Sequence, residues 1–196
     1  MSRGRHIVVY RRKRERTTNY RKRLKALLSK RVRLVVRKSS RHIIAQFIAY
    51  DEAGDRVLVS AHSGELKKFG WGFDTKNLPA AYLTGLLAGR RAKEAGVSEA
   101  ILDMGLNTPV RGCRIYAVLA GATGFISIPH SKEVLPSDAR LRGKHIAEFA
   151  SMEKKGNQFS QYNKKGLNIA SIGDAFKSVQ ESVKAEENRK GKKKNG

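Results

Sequence analysis

Positive charge is concentrated at the N-terminal end of this chain, and this segregation limits where a folded core can form. Residues 1–41 contain 17 Lys or Arg and a single acid, Glu15. Residues 42–131 contain nine basic and eight acidic residues, and residues 132–196 contain 15 basic and eight acidic ones. A formal net charge of +24 opposes compaction unless a polyanion neutralises it. The pattern predicts a nearly neutral folded middle between a basic arm and a basic tail.

Four segments follow from this distribution. We expect a basic arm with a short amphipathic helix over 1–30, an α/β core domain over 31–131, a helical extension over 132–188 and a disordered lysine-rich tail over 189–196. The single cysteine, Cys113, can form neither an internal disulfide nor a zinc site by itself. The sequence contains no apolar run of membrane-spanning length and no signal-peptide pattern, which predicts a cytoplasmic protein without a membrane partner.

The period of the apolar residues changes from helical to strand-like after residue 30. Val32, Leu34 and Val36 alternate with basic residues, and two further runs, His42–Tyr50 and Arg56–Ala61, are rich in β-branched and aromatic side chains. Turn-forming residues separate these two runs. We therefore expect an antiparallel meander of three strands.

The second half of the middle region alternates helices with strands. Asn77 is a candidate N-cap for a helix of small residues that Gly96 ends, and this helix is expected to lie close against the sheet. A short strand at Ala100–Met104, a helix near Cys113–Ala122 and a last strand at Phe125–Ile128 follow. Such alternation implies βαβ-type crossovers. The predicted fold is α/β, with a mixed sheet of about five strands and packed helices.

Both ends of the chain are expected to contain helices. Thr18 is the predicted cap of the amphipathic helix in the arm, preceded by an extended or disordered stretch at Arg11–Arg16. Ser137 is expected to cap a polar helix beyond Pro136, and Ser171 with Asp174 resembles a capping box for the final helix.

No pattern of a catalytic or metal site is evident. Asp51, Asp55, Asp74 and Asp103 could in principle hold the magnesium ions of a nuclease, but they are unpaired in the sequence and typical of turns. The segment Gly85–Gly89 (GLLAG) lacks the lysine of a phosphate-binding loop and is interpreted as a packing surface. No catalytic residue, metal or cofactor and no small-molecule substrate are predicted.

Cations interleaved with stackable rings favour RNA as the polyanion. Lys and Arg neutralise phosphates, and aromatic rings stack on unpaired bases. Trp71, in a glycine-flanked loop, is expected to contact RNA, the alternative being that it folds back over the helix start near Leu78. The predicted RNA-binding residues are Arg11, Arg12, Lys13, Arg14, Arg16, Tyr20, Arg21, Lys22, Arg23, Lys25, Arg31, Arg33, Arg37, Lys38, Arg41, His42, His62, Lys67, Lys68, Trp71, Arg140, Arg142, Phe159 and Tyr162.

Five blocks occur in the same order as in one known family. They are HIIAQ at 42–46, RVLVSAHS at 56–63, NLPAAYLTGLLAG at 77–89, IPHS at 128–131 and RGKHIAEFA at 142–150, and FSQY at 159–162 adds a eukaryotic feature. With these blocks the chain resembles the archaeal and eukaryotic large-subunit ribosomal protein L eighteen, called L five in eukaryotes. The similarity extends over nearly the whole chain.

This resemblance implies a scaffold and not an enzyme. Its expected partners are 5S ribosomal RNA, large-subunit ribosomal RNA and the neighbouring ribosomal proteins of the central protuberance. By matching block, Arg11–Arg16, Tyr20–Arg23 and Arg37–His42 are expected to contact RNA. An RNA-processing enzyme on a similar core, dependent on Asp103, and a free-standing RNA chaperone are the two alternatives.

Overall fold

A mixed sheet of four strands organises the chain, in the spatial order β3-β2-β1-β4. The computed structural model describes residues 8–152 and 158–185. The strands are β1 Val32–Lys38, β2 Ile43–Ala49, β3 Arg56–His62 and β4 Ala100–Asp103. The first three form the antiparallel meander that the alternation predicts, and β4 pairs in parallel with β1. The mixed α/β class is therefore confirmed.

The expected fifth strand is reduced to one bridge between Glu99 and Ser127. Two backbone hydrogen bonds hold it, from Ala100 N to Ser127 O at 3.0 Å and from Ser127 N to Ser98 O at 3.0 Å. Ile126 and Ile128 are nevertheless buried. The apolar run 125–128 thus marks a core segment, which a short sequence pattern does not distinguish from a strand.

Eight α-helices are present among the described residues. They are α1 Arg11–Arg14, α2 Tyr20–Leu27, α3 Leu78–Glu94, α4 Arg114–Ala122, α5 Asp138–Leu141, α6 Lys144–Ser151, α7 Ser160–Lys164 and α8 Ile172–Ala185. Three 3₁₀ helices accompany them, at Ser63–Phe69, Lys132–Val134 and Ile169–Ser171. None of the described helices is both long enough and apolar enough to cross a membrane.

Helix α3 is the centre of the core. The side chain of Asn77 accepts a hydrogen bond from Ala80 N at 2.9 Å, which confirms the predicted cap. The helix packs on β2 and β3 and also contacts α4, α5 and α8. Its glycines lie against α4, since a Cβ added to Gly85 would overlap Val118 O and one added to Gly89 would overlap the backbone of Ala122. The helix packs on the sheet as expected, and the close approach of α4 at these glycines was not predicted.

The N-terminal arm is more ordered than expected over its described part. Arg11–Arg14 form a single helical turn, where the sequence predicted an extended or disordered stretch. The cap of α2 is Asn19, which accepts from Lys22 N at 3.1 Å, and not Thr18. The hydroxyl of Thr18 instead accepts from Arg12 Nε at 2.8 Å. The arm therefore stabilises its own turns through local hydrogen bonds.

The C-terminal helices match the prediction only in part: Ser137 occupies the N-cap position of α5 as expected, but its side chain forms no cap hydrogen bond. Gly143, with φ +80°, separates α5 from α6, so the segment that begins after Ser137 is two helices and not one. Ser171 does not form the expected capping box, since its hydroxyl donates to Asn168 O at 2.8 Å. Helix α8 still buries its apolar side in the core, through Phe176, Val179 and Val183. The predicted disordered tail, 189–196, lies outside the described residues.

Candidate nucleic-acid interface

A cleft of about 800 Å³ lies between the arm and the neighbouring part of the sheet. Its walls come from the arm, the C-terminal half of β1 and the loop after β4. Polar and basic residues contribute much of its lining, among them Arg12, Thr17, Lys22, Arg37, Lys38 and Asn107. The fold thus brings together cations that belong to two predicted groups, the arm and the end of the first strand.

The acids of this cleft are already neutralised by arginines of the protein. Arg23 donates two hydrogen bonds to Asp55, at 2.8 and 2.9 Å. Arg33 lies 2.7 Å from the same carboxylate and 3.1 Å from Asp103. Partial burial acts to raise the pKa of Asp55, but the hydrogen bonds from the two arginines hold that pKa below its ordinary value. Asp55 therefore remains charged, and each of the two carboxylates has a basic partner within the chain.

Arg33 is a structural residue, contrary to its prediction as an RNA contact. Its side chain is 2 % exposed, because the face of β1 opposite Leu34 and Val36 is also covered. A buried guanidinium requires paired carboxylates, and Asp55 and Asp103 supply them. The alternation in the sequence correctly placed Arg33 away from the core face, but it did not reveal that the opposite face of β1 is also covered.

The basic residues of α1 are accessible. None of the four residues Arg11–Arg14 is buried, and Arg16 is exposed as well. Within this group Arg11 forms an ion pair with Glu15 at 3.4 Å, a contact between two exposed side chains that adds little stability. The turn therefore presents its cations to solvent. Contact of these residues with RNA stays a prediction.

Helix α2 presents a mixed surface. The side chains of Arg21, Lys22 and Lys25 are exposed, whereas Arg23 is half-buried and donates to Asp55. The ring of Tyr20 is 37 % exposed and lies 5.6 Å from the ring of Tyr10. The helix is only partly covered on its apolar side, where Leu24 and Leu28 are 61 % and 72 % exposed.

A tight turn between β1 and β2 carries the next predicted contacts. Arg37, Lys38 and Arg41 are exposed, and Ser39 N donates to His42 O at 2.8 Å to close the turn. The ring of His42 is half-buried, with its Nδ1 3.1 Å from the hydroxyl of Thr75. Because that hydroxyl also donates to Arg41 O at 2.8 Å, it fixes both residues of the turn.

His62 lies beside His42 but performs a local structural task. Their ring centroids are 4.6 Å apart. His62 Nδ1 accepts from Gly64 N at 3.0 Å and so caps the 3₁₀ helix Ser63–Phe69. Lys67 and Lys68 at the end of that helix are exposed. The two lysines remain available to an anion, while the His62 ring has an internal function.

Trp71 is the clearest correction among the predicted contacts. Its side chain is 1 % exposed, and its Nε1–H donates to Asp74 O at 3.1 Å. It belongs to the same apolar cluster as Leu78, at the start of α3. No face of the indole is left for a base, so RNA stacking by Trp71 was wrong and the alternative of a folded-back indole describes it.

Phe159 and Tyr162 also contact the protein itself. The Tyr162 ring packs edge-on against Phe73 at 5.7 Å, and its hydroxyl accepts from Asp74 N at 3.1 Å. Phe159 lies between Tyr162 and Phe149, with centroids 6.1 and 5.9 Å away. These rings attach α7 to the loop around Trp71. Both are half-buried, so part of each ring stays accessible, and their contact with RNA stays a prediction.

The remaining predicted cations lie away from the cleft lining. Arg31 pairs with Glu99 at 3.3 Å, and Arg142 pairs with Asp138 at 2.7 Å. Arg140 is exposed on α5. Ion pairs of this exposed kind exchange readily for a phosphate partner, since they contribute little in water.

The loop after β4 contributes to the cleft and was not predicted to do so. Met104, Gly105, Leu106 and Asn107 line it. Asn107 donates through its side-chain amide to Met104 O at 2.8 Å, which holds the loop in shape. The sequence signalled a loop at Asn107–Pro109 but not its proximity to the arm, because that proximity depends on the parallel pairing of β1 with β4.

Within residues 8–152 and 158–185, no group of three or more His, Cys, Asp or Glu side chains is placed to hold a metal ion. Asp103, the acid on which a nuclease alternative depended, forms an ion pair with Arg33.

Comparison with known proteins adds independent information. Residues 4–98 match the sequence model of the family described as "Ribosomal large subunit proteins 60S L5, and 50S L18". The chain is also 50 % identical over 190 residues to the large ribosomal subunit protein uL18 of Korarchaeum cryptofilum (strain OPF8). This similarity covers 94 % of the present chain and 97 % of the archaeal protein.

Proposed function

Because the chain belongs to this family of large-subunit ribosomal proteins, we propose that it binds 5S ribosomal RNA and helps attach it to large-subunit ribosomal RNA in the central protuberance. Family membership makes the protein a structural component of the large ribosomal subunit and not an enzyme. The identity of the RNA and the location within the subunit are the proposed part. Neighbouring ribosomal proteins of that region are the proposed protein partners.

The observation that carries the proposal is the charge state of the cleft. Arg12, Lys22, Arg37 and Lys38 line it without an acidic partner among the described residues, while both of its acids are paired with arginines. An RNA backbone supplies closely spaced phosphates, and a cleft wall with unpaired cations is suited to neutralise them. The neighbouring α1 extends this surface with further exposed cations.

The test is the salt dependence of binding to purified 5S ribosomal RNA. About six to ten phosphate contacts imply a loss of roughly a thousandfold or more in affinity between 50 and 200 mM salt. Replacing Lys22, Arg37 and Lys38 together by Gln removes three of these contacts. The slope of log affinity against log salt is then expected to become shallower by about 2 to 3.

A matched control separates a specific surface from general charge. Lys132, Lys177 and Lys184 are exposed and lie outside the predicted site, so their triple Gln variant has the same net charge as the cleft variant. We expect this control to bind within about twofold of the wild type at fixed salt. Equal weakening of both variants would contradict the cleft, and equal affinity for an unrelated structured RNA would favour an RNA chaperone.

A further inference from the structure

The carboxylate of Asp55 links helix α2 of the arm to the core through side-chain hydrogen bonds. Helix α2 contains no fully buried residue. Leu24 and Leu28, which could have packed it down, are largely exposed. The specific cross-link is the pair of hydrogen bonds from Arg23 to Asp55, a residue 32 positions further along the chain. A bidentate arginine fixes the orientation of its partner as well as the distance.

A second arginine, Arg33, also contacts the carboxylate of Asp55. Arg33 on β1 approaches Asp55 to 2.7 Å and Asp103, at the end of β4, to 3.1 Å. The four side chains Arg23, Asp55, Arg33 and Asp103 form a neutral array of two positive and two negative charges, which we term the latch. Since Arg33 is buried in the sheet, the latch connects the arm to the central strand β1.

Three of the four side chains of the latch form part of the cleft wall. Arg23, Asp55 and Asp103 are lining residues, and Lys22, next to Arg23 on α2, is one of the unpaired cations. Fixing Arg23 therefore fixes the direction in which α2 presents Lys22 and, through the short connection, Arg12. Pre-organised binding groups lose less conformational freedom on association.

We propose that Asp55 is a positioning residue for RNA: through Arg23 it holds α2 and its cations in the orientation that binds the phosphate backbone. This inference rests on the function proposed above. It leads to an expectation opposite to that of simple electrostatics. Removing a negative charge from a phosphate-binding cleft should strengthen RNA binding, whereas loss of a positioning group should weaken it.

The first experiment measures 5S ribosomal RNA affinity of Asp55→Asn. We expect a loss of about fivefold to tenfold, because the cations of the arm must then be ordered during binding. The control is Asp51→Asn, which removes one exposed acid from the same turn, where the Asp51 carboxylate accepts from Ala53 N at 3.4 Å. Its affinity is expected to equal or slightly exceed that of the wild type. Unchanged or increased affinity of Asp55→Asn overturns the proposal.

A second variant covers the case in which Asp55→Asn fails to fold. Arg23→Lys keeps the charge and leaves the pair of Arg33 with Asp55 in place, but it cannot form the bidentate contact. We expect an affinity loss of about threefold, against less than twofold for Arg111→Lys, an exposed arginine outside the predicted site that also pairs with an acid, Glu133, at 3.5 Å. Equal affinities of these two variants would refute the positioning function.

Hydrogen exchange of the free protein gives a readout without RNA. Loss of the latch should speed exchange of the α2 amides and leave those of β2 protected. This measurement separates the two proposals. If the wild type itself does not bind 5S ribosomal RNA, the proposed function fails while the latch is still tested; if it binds and the variants do not weaken binding, only the positioning function fails.

Discussion

Trp71→Ala is expected to destabilise the fold severely and to leave RNA binding per folded molecule unchanged. The indole is 1 % exposed and packs against Phe73 with ring centroids 5.5 Å apart. Deleting a buried tryptophan side chain costs roughly 3 to 5 kcal/mol. The hydrogen bond from Nε1 to Asp74 O is also lost, at a net cost of about 0.5 to 1.5 kcal/mol. Domain stabilities are about 5 to 15 kcal/mol, so the loss is a large share.

The assay is urea unfolding followed by far-ultraviolet circular dichroism. Tryptophan fluorescence is unsuitable, because Trp71 is the only tryptophan of the chain and the variant lacks it. For a chain of this length each kcal/mol corresponds to about 2 to 4 °C in Tm, so thermal unfolding followed by the same signal should show a decrease of roughly 7 to 26 °C. Tyr50→Ala is the control, since that ring is 57 % exposed and its loss should cost less than about 1 kcal/mol.

The combination of the two measurements decides the role of this residue. A loss of less than about 1 kcal/mol in Trp71→Ala would refute the buried-anchor interpretation, because it lies below the cost of deleting a buried side chain. So would a normal unfolding free energy accompanied by weakened RNA binding, which is the outcome of a stacking residue.

Three further predictions concern the arm, the helix pair and the pH dependence. Deleting residues 1–16 removes seven basic residues and no buried side chain of α1, so we expect cooperative unfolding to persist while most 5S RNA affinity is lost. Gly85→Ala should cost more than about 2 kcal/mol, since its Cβ would overlap Val118 O, whereas Gly173→Ala, whose Cβ would meet Arg142 O at 4.0 Å, should change stability by less than about 1 kcal/mol. The pKa of Asp55 is lower in the folded chain than in the unfolded chain, so its contribution to the free energy of unfolding is present at neutral pH and is lost as pH falls below about 4. Acid titration of the unfolding free energy, with and without Asp55→Asn, measures this loss.

Local signals in the sequence predicted the local structure well. The cap at Asn77, the end of α3 near Gly96 and the three-strand meander all depend on a few neighbouring residues, and all are confirmed. The apolar run 125–128 was less informative, because burial can be achieved by a strand or by an irregular segment. Choices between Thr18 and Asn19 as the cap depend on one residue of register, which composition does not fix.

The structural arginine could not be predicted for a different reason. Arg33 alternates with apolar residues as an exposed strand residue does, and its acidic partners are distant in sequence, with Asp103 70 positions away. The pairing of β1 with β4 brings Asp103 to Arg33, and the antiparallel pairing of β1, β2 and β3 brings Asp55, the residue before β3. The glycines around Trp71 suggested a contact loop, but the aromatic contacts to α7 that cover it again involve a remote segment. A single sequence does not show which residues that are far apart in the chain are in contact in the fold.

The separation of charge along the sequence makes the core and the arm respond differently to salt. The core buries Arg33 and balances it with two acids, so its ion pairs are internal and only weakly screened by salt. The cations of the arm are exposed and have almost no acids nearby, so their attraction to phosphates is strongly screened. Raising the salt concentration should therefore release RNA long before it unfolds the sheet.

Asp55 belongs both to the ion pairs of the core and to the attachment of the arm, because it neutralises a buried charge and orients the arm. Its replacement should consequently affect core stability and RNA affinity together, whereas replacing Lys22 should affect RNA affinity alone.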